Sequence, residues 1–532
     1  MTKTKITMAR TRRWVQVGFL LFFVLLFLRA RYPYSGSLPS DLFLRFSPLI
    51  PLFDFIDNIR ISFLFWPALI IIVLTPFLGR FFCGWICPLG TTIDLTSRAI
   101  KSPDNKKSKR WQSWRPVKFV LLFTTVVLAL FSIHLWGLLD PLSIFNRALT
   151  VVVYPLATLV AESVLIGIGR VPFLETPAMA VYDGFKSLVM PEPQAHLPQV
   201  FWIALFFGII LGLEKLSRRF WCRYVCPAGA LLGFISQFRF YERLVDKSCP
   251  DCGKCPTECK MNAITEDNVR ETNKVECIEC FSCAEKCPPK IKAITYRWRW
   301  QPYHTPVDYS RRQFIQTTFS SIVALGLLSI GIRSKDARHR MIRPPGSIPE
   351  DDFLDKCIRC EECVRICQSN GACLQPDGIR SNLLELWTPV ADMRAGYCEY
   401  GCNLCGQVCP TEAILPLTLE QKQKTSMGLA YFDKDLCIPY AKYEDCIVCE
   451  EHCPTPDKAI KIDEKETTLP DGSVKLVKYP YVIAELCIGC GICEYKCPLP
   501  GEAGIIVTGE QALRPASPDE IEMPEESVSI NG

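Results

Sequence analysis

Histidine is scarce: the 532 residues contain five, His134, His196, His304, His339 and His452. Membrane haem needs paired ligands on facing helices, and only His134 lies in a long apolar run, so a bis-histidine haem is not expected. No Cys-x-x-Cys-His occurs, which removes covalently attached haem as well. The Gly-rich dinucleotide fingerprint is missing, so there is no basis for direct NAD chemistry. The net charge is only +5 and no basic tract of the kind that grips nucleic acid is present. Positive clusters instead sit at the ends of apolar runs, as membrane topology requires. No small-residue cleavage site follows the first apolar run, Trp14 to Leu28. Arg29-Ala-Arg31-Tyr-Pro stands there, so an uncleaved helix with its N-terminus inside is expected.

What the chain has in abundance is cysteine, 29 residues of it. An odd count at short repeated spacings is a poor disulfide framework. Zinc prefers two pairs split by a longer loop. Here three cysteines recur at two-residue gaps with a fourth shortly after, which is iron–sulfur ligation. Cys249, Cys252, Cys255 and Cys259 make one run, and Cys277, Cys280, Cys283 and Cys287 the next. In a two-cluster ferredoxin the fourth cysteine of each run serves the other cluster. Cys249, Cys252, Cys255 and Cys287 are therefore expected on one [4Fe–4S] cluster, and Cys277, Cys280, Cys283 and Cys259 on a second. Lys260 stands where proline usually follows Cys259.

Four further runs come later: Cys357, Cys360, Cys363, Cys367; Cys398, Cys402, Cys405, Cys409; Cys437, Cys446, Cys449, Cys453; and Cys487, Cys490, Cys493, Cys497. They suffice for four more clusters, six in all. Whether they pair as neighbours, or first with fourth and second with third, is open at this level. Cys373 is left over and reads as a small buried residue rather than a ligand. With every iron held by cysteine, the clusters have no position for substrate, and the expected chemistry is one-electron transfer.

The first 240 residues hold the long apolar runs, and spans are expected at about 14–28, 59–78, 117–138 and 200–216. Residues 31–59 read as an external loop, and 148–169 as a re-entrant or interfacial helix, because Glu162 disfavours lipid there. Lys101 to Arg115 holds six basic residues and one acid, a cytoplasmic signal. Two spans end alike, in Arg80-Phe-Phe-Cys83-Gly-Trp-Ile-Cys87-Pro88-Leu-Gly90 and Arg219-Phe-Trp-Cys222-Arg-Tyr-Val-Cys226-Pro227-Ala-Gly229. This internal repeat implies a pseudo-two-fold bundle bringing Cys83, Cys87, Cys222 and Cys226 to the cytoplasmic face. They could hold a metal or a further cluster, act as a dithiol pair, or only mark helix ends. His134, Asp140 and Glu162 are the candidates for taking a quinol proton.

Ser310 to Ile332 carries Arg311 and Arg312 before an apolar segment, the pattern of a twin-arginine signal or a membrane helix with its positive end inside. Either way the residues after it are expected outside. At 532 residues several domains are expected. The fold class is an α-helical membrane bundle plus α+β bacterial-ferredoxin-like [4Fe–4S] domains. The bundle takes 1–240, a cytoplasmic two-cluster ferredoxin 241–300, a signal-anchor helix 301–335 and an external four-cluster ferredoxin 336–510. The acidic, proline-bearing tail 511–532 reads as disordered.

The membrane half, with both Cys-x3-Cys-Pro turns and the Cys249–Cys287 ferredoxin, resembles the NapH family of membrane quinol dehydrogenase subunits. The exported half is similar to the NapG family and to methylamine-utilisation ferredoxins, in Arg343-Pro-Pro-Gly-Ser-Ile-Pro-Glu-Asp-Asp-Phe-Leu, Gly396-Tyr-Cys398 and Cys405-Gly-Gln-Val-Cys409-Pro-Thr. No Ser-Gly-Ala-Thr motif for flavin attachment is present. The resemblance implies a natural fusion of two subunits in a bacterial inner membrane. It would oxidise menaquinol or ubiquinol and serve a periplasmic multihaem cytochrome or reductase. The rival readings are an electron donor for maturation or reactivation of a periplasmic metalloenzyme, and an assembly scaffold.

Overall fold

The computed structural model describes residues 8–34, 38–58, 62–103, 105, 109–170, 173, 175–188, 198–288, 291–299, 341–378, 383–517 and 520, with isolated positions 315, 318–319, 321 and 323. The twin-arginine stretch therefore lies almost wholly outside the described residues. Two compact units result, each assembled from separated stretches of chain. One comprises Met1–Phe27, Leu38–Ala148 and Trp202–Gly331; the other comprises Leu28–Ser37, Leu149–Phe201 and Ile332–Gly532.

Among its described residues the first unit is helical apart from one sheet. Its main helices are Met8–Arg29, whose last two residues belong to the other unit, Trp66–Leu78, Pro88–Ala99, Val117–Ala129, Val200–Gly212, whose first two residues belong to the other unit, and Pro227–Ser236. Three of the expected spans are shorter than the sequence suggests. Trp66–Leu78, Val117–Ala129 and Val200–Gly212 are each 13 residues, roughly 20 Å at 1.5 Å per residue, against a hydrocarbon core of about 30 Å. The reasons are local. Ser132 turns left-handed at φ 55°, and Ile133 N–H bonds back to Leu128 O at 3.0 Å, closing the third span early. The fourth tightens at Leu213–Lys215, where Glu214 accepts from Arg219 N–H at 2.9 Å and Phe220 N–H at 3.0 Å. Among the described residues two helices have the length and apolarity for a crossing: Met8–Arg29, and Pro141–Gly169. The second contains the segment expected to be re-entrant. It stays continuous through a single π turn, Leu149–Val153.

Strands β1 (Tyr241–Val245) and β2 (Ile294–Trp298) pair antiparallel, Tyr241 opposite Trp298, and bracket the loops holding Cys249 to Cys287. Between them Cys259, Ala263, Ile264 and Cys283 form a small buried core flanked by Cys255, Cys277, Ile294 and Tyr296.

Among the described residues the second unit contains a helix pair, Tyr154–Gly169 and Glu175–Leu188, and three two-stranded sheets. β3 (Leu374–Pro376) pairs β4 (Pro389–Ala391), β5 (Leu429–Phe432) pairs β8 (Ile505–Thr508), and β6 (Ile460–Thr468) and β7 (Val474–Val482) form a nine-pair hairpin. Order continues beyond the expected boundary at 510. Leu513 N–H donates to Ser426 O at 2.8 Å and Arg514 pairs with Glu350. These bonds tie down the start of the expected tail; 521–532 lie outside the described residues.

Candidate functional site: four-thiol cavities and a two-fold cysteine centre

The cysteine loops share one backbone device. In Cys-x-x-Cys-x-x-Cys the third and fifth residues are left-handed: Asp251 and Gly253, Glu279 and Phe281, Arg359 and Glu361, Gly489 and Gly491. Only glycine adopts this conformation without cost; Glu279, Phe281, Arg359 and Glu361 hold it because the loop leaves no alternative. The fifth residue is also the cap of a short helix, as at Lys254–Glu258, Ser282–Lys286, Glu362–Cys367 and Ile492–Tyr495. Two reversals of hand coil the loop so that successive thiols face one centre. The runs beginning at Cys398 and Cys437 have wider first gaps, and positive φ is absent at the equivalent residues around Cys402–Cys405 and Cys446–Cys449.

Three cavities group thiols from the last four runs. One is lined by Cys357, Cys360, Cys363 and Cys409. Another is lined by Cys367, Cys398, Cys402 and Cys405, together with Cys373. A third is lined by Cys487, Cys490, Cys493 and Cys453. Cys437 lies within electrostatic reach of Cys446 and Cys497, and Cys449 within reach of Cys437 and Cys446. Neighbouring runs therefore interlock, first with second and third with fourth. In the first unit, Cys259 sits with Cys277, Cys280 and Cys283, and Cys255 feels Cys249 and Cys252.

The donor sets fit [4Fe–4S] clusters. Burial, then neighbouring thiols, push Cys283 and Cys449 up to about 12. Cys490 is also pushed up to about 12 by burial, with Cys398 and Cys487 adding to it. Four anionic sulfurs in one apolar cavity need compensating positive charge, which iron supplies. Secondary donors are in place: Ala263 N–H to Cys259 Sγ at 3.2 Å, Gly504 N–H to Cys497 Sγ at 3.4 Å, and Arg243 Nη2 to Cys255 Sγ at 3.5 Å.

The Cys-x3-Cys-Pro repeat is symmetric in detail. Phe82–Ile86 and Trp221–Val225 are single π turns, a distortion common at functional sites. Pro88 and Pro227 then open helices, their missing N–H harmless at that position. Cys87 Sγ accepts from Gly90 N–H at 3.5 Å, and Cys226 Sγ from Gly229 N–H at 3.4 Å. Both cysteines thus begin helices. Each thiol lies within electrostatic reach of the others: Cys87 is pushed up by burial and then by Cys222 and Cys83, and Cys226 by burial and then by Cys222, Cys83 and Cys87. Among the described residues no three His, Cys, Asp or Glu side chains close to the spacing of a single bound ion.

Two buried arginines cross over this centre. Arg219, from the second motif, donates to Cys83 O at 3.0 Å and Gly90 O at 3.1 Å in the first. Arg80, from the first, reaches the second: a Cβ on Gly229 would meet its Nη2 at 2.7 Å. Arg219 is anchored by Asp94 at 2.9 Å, which also binds Arg12 at 2.8 Å and Lys260 at 2.7 Å. Burial works against the Asp94 carboxylate, yet the cations Arg219, Lys260 and Arg12 hold it well below its usual range. Arg80 bonds Val275 O at 3.0 Å and Glu276 at 3.3 Å, and Lys118 binds Glu276 at 2.6 Å. The Cys277–Cys280 loop lies directly against the motif, with Trp85 Nε1 donating to Glu279 O at 3.0 Å. Asp94 and Glu276 carry no sequence signature; the two arginines do, being part of the repeat.

The proton candidates separate. His134 is buried, its Nε2 3.2 Å from Asp57 Oδ1. Phe53 stands edge-on to it at 6.2 Å and stacks on Trp136 at 4.7 Å. Asp140 caps the Pro141–Ala148 helix, accepting from Ser143 N–H at 2.8 Å, Leu142 N–H at 3.1 Å and Ser47 Oγ at 2.5 Å, a complete structural role. Glu162 accepts from Tyr182 Oη at 3.3 Å in the other unit's helix pair. The sequence missed Asp57, which stands in the segment read as an external loop.

A family model described as a 4Fe–4S binding domain matches residues 60–108 and 199–245, the two motif segments. The methylamine utilization ferredoxin-type protein MauM of Methylorubrum extorquens is 31% identical over 209 residues, 38% of this chain and 90% of that protein. The ferredoxin-type protein NapG of Escherichia coli is 31% identical over 196 residues, 36% of this chain and 81% of that protein. The putative electron transport protein YccM of Escherichia coli is 28% identical over 222 residues, 41% of this chain and 51% of that protein. No solved structure matches. With its interlocked cysteine runs and these relatives, the chain is an iron–sulfur electron-transfer polyferredoxin that belongs to the ferredoxin-type family of MauM and NapG.

Proposed function

We propose that the protein is a membrane quinol dehydrogenase, a NapH-type membrane half fused to a NapG-type half. It would pass electrons from menaquinol or ubiquinol to a periplasmic cytochrome or reductase. One observation carries the two-sided arrangement: contacts sort by the side on which the sequence puts each segment. Tyr32 N–H donates to Ser369 Oγ at 2.8 Å, Gln368 Nε2 to Thr150 O at 3.4 Å, and Arg365 lies over the Tyr154 ring at 4.1 Å. These residues come from the external loop, the 148–169 helix and the exported half. On the expected cytoplasmic side Asn105 Nδ2 donates to Pro256 O and Cys259 O at 2.7 and 2.8 Å. Apolar side chains left exposed, Leu21, Val73, Leu156, Val160 and Ile209 among them, supply surface for lipid.

Six [4Fe–4S] clusters would be held by the interlocked runs, with Cys287 completing the set of Cys249, Cys252 and Cys255. Such clusters supply one-electron transfer. Cys83, Cys87, Cys222 and Cys226 would form an additional metal or redox site beside the Cys277–Cys280 loop. Arg80 and Arg219 hold positive charge against its thiolates. His134 would take a quinol hydroxyl proton, and Asp57 would stabilise the imidazolium formed. Phe53 and Trp136 would border a quinol ring brought beside His134.

Reoxidation in proteoliposomes tests this reading. Dithionite-reduced protein mixed with menaquinone and ubiquinone analogues should lose its reduced-cluster EPR signal, and His134→Ala should slow that loss. If neither analogue changes the signal, quinol oxidation is wrong. Retained partner binding after cluster removal would instead favour a scaffold.

A further inference from the structure

The cavity between the first and second exported runs differs from its counterparts. Those bounded by Cys357–Cys363 and by Cys487–Cys493 are each lined by four cysteines. This one is lined by five: Cys367, Cys373, Cys398, Cys402 and Cys405. Cys373 Sγ lies 3.9 Å from Cys367 Sγ, and the residue is 2% exposed.

Its position is fixed by backbone on both sides. Ala372 N–H donates to Cys367 O at 3.0 Å, Tyr397 N–H to Gly371 O at 2.9 Å, and Asp392 N–H to Cys373 O at 2.9 Å. Ala372 also bridges Tyr397, one residue before Cys398. Gly371 has φ 87° and a Cβ there would lie 2.2 Å from Tyr397 O, so the turn admits only glycine. The turn that brings Cys367 to this cavity therefore holds a second thiol beside it. Cys367 itself is followed by Gln368, without the proline that follows Cys409, Cys453 and Cys497.

We propose that Cys373 is a reserve ligand for the cluster held by Cys398, Cys402 and Cys405, able to replace Cys367. The inference rests on the cluster assignment above. In the exchange the iron–sulfur bond to Cys367 breaks as one to Cys373 forms. The Cys373 thiol proton passes to the departing Cys367 sulfur, and no electron is gained or lost. A cluster in an oxidising compartment gains persistence from a fifth thiol, because a ligand released at that corner is replaced in place.

The test uses the full chain in detergent, with iron analysis and EPR of the dithionite-reduced protein. Cys367→Ser should keep the wild-type iron content with an altered line shape. Cys367→Ser/Cys373→Ser should lose one cluster's share, as should Cys402→Ser. If Cys367→Ser already loses that share and the double variant loses no more, the inference is overturned. A chelator challenge serves if Cys367→Ser does not fold: Cys373→Ser should release one cluster's iron several-fold faster than wild type, and equal rates would count against a reserve role. Wild-type protein without iron would instead refute the underlying assignment.

Discussion

The two halves of the Cys-x3-Cys-Pro repeat agree at the thiols and differ one step outward. Both have the π turn, the Cys-Pro start and the crossing arginine. Around them, residues at matching positions have opposite characters. The residue after Cys83 is Gly84, and the residue after Cys222 is Arg223. A Cβ on Gly84 would lie 2.2 Å from Ile278 O, so the ferredoxin loop rests directly on the backbone there. Arg223 instead bonds Asn105 Oδ1 at 2.7 Å, and Asn105 spans to the Cys259 turn. Asp94 stands seven residues after Cys87; its counterpart after Cys226 is Gly233, whose Cβ would meet Val275 O at 2.9 Å. Where one half carries a charged side chain, the other carries glycine with ferredoxin backbone against it. A two-fold scaffold thus builds the four-thiol centre, and broken symmetry around it docks a single ferredoxin module on one side.

The largest effect is expected at the anchoring carboxylates. Asp94→Asn leaves the buried Arg12 and Arg219, and the partly exposed Lys260, without their anion. Breaking a buried pair from one side costs about 3–5 kcal/mol, so a marked fall in the thermal midpoint in detergent is expected. Glu276→Gln, which strands Arg80 and Lys118, should cost less, because two cations are left in place of three. The pH dependence has a definite sign. Asp94 is depressed in the folded state, so its contribution is complete above the unfolded carboxylate range and fades as pH falls below about 4. The variant should lose that part of the acid dependence. Equal midpoints for Asp94→Asn and wild type would show that the asymmetry carries no stability.

A mid-sized effect is expected where backbone touches backbone. Gly84→Ala forces the Ile278 carbonyl to move, and with it the loop between Cys277 and Cys280. Overpacking of this kind costs about 1–3 kcal/mol. Gly90→Ala meets Cys83 O at 3.1 Å and should cost less. The distinguishing readout is the EPR line shape of the cluster assigned to Cys277, Cys280 and Cys283, which Gly84→Ala should alter and Gly90→Ala should leave closer to wild type. The reverse order would mean that the loop is not seated on Gly84.

What was legible in the sequence follows the range of the interactions. Ligand spacing is local, so the cysteine runs and the repeated motif could be read directly, and three cavities are each lined by thiols from two runs. Pairing of the last four runs depends on loops more than thirty residues apart, and spacing does not encode it. The anchors are more remote still: Arg80 and Glu276 are 196 positions apart. Asp57 was missed because it lies in a segment without a motif, and only the fold brings it to His134. Helix lengths were overestimated where a turn residue such as Ser132, or a capping carboxylate such as Glu214, ends an apolar run before its composition changes.

The smallest effect is expected at the rim of the same docked face. Arg13 Nη2 binds Glu285 at 3.0 Å, with the arginine side chain 49% exposed. Like Arg12–Asp94, this pair starts from the N-terminal helix, but water competes for both partners. Exposed pairs are worth about 0.2–1 kcal/mol and weaken with salt. Arg13→Ala should therefore shift the midpoint slightly at low ionic strength and not at all at high salt. Asp94→Asn, whose two arginine partners are buried, should keep most of its deficit in both conditions. That contrast separates the two ends of the face by burial alone, since the pairs share a helix and the same kinds of charge. If salt erased the Asp94→Asn deficit too, the anchor would be a solvated pair, and the asymmetry between the two halves would lose its energetic basis.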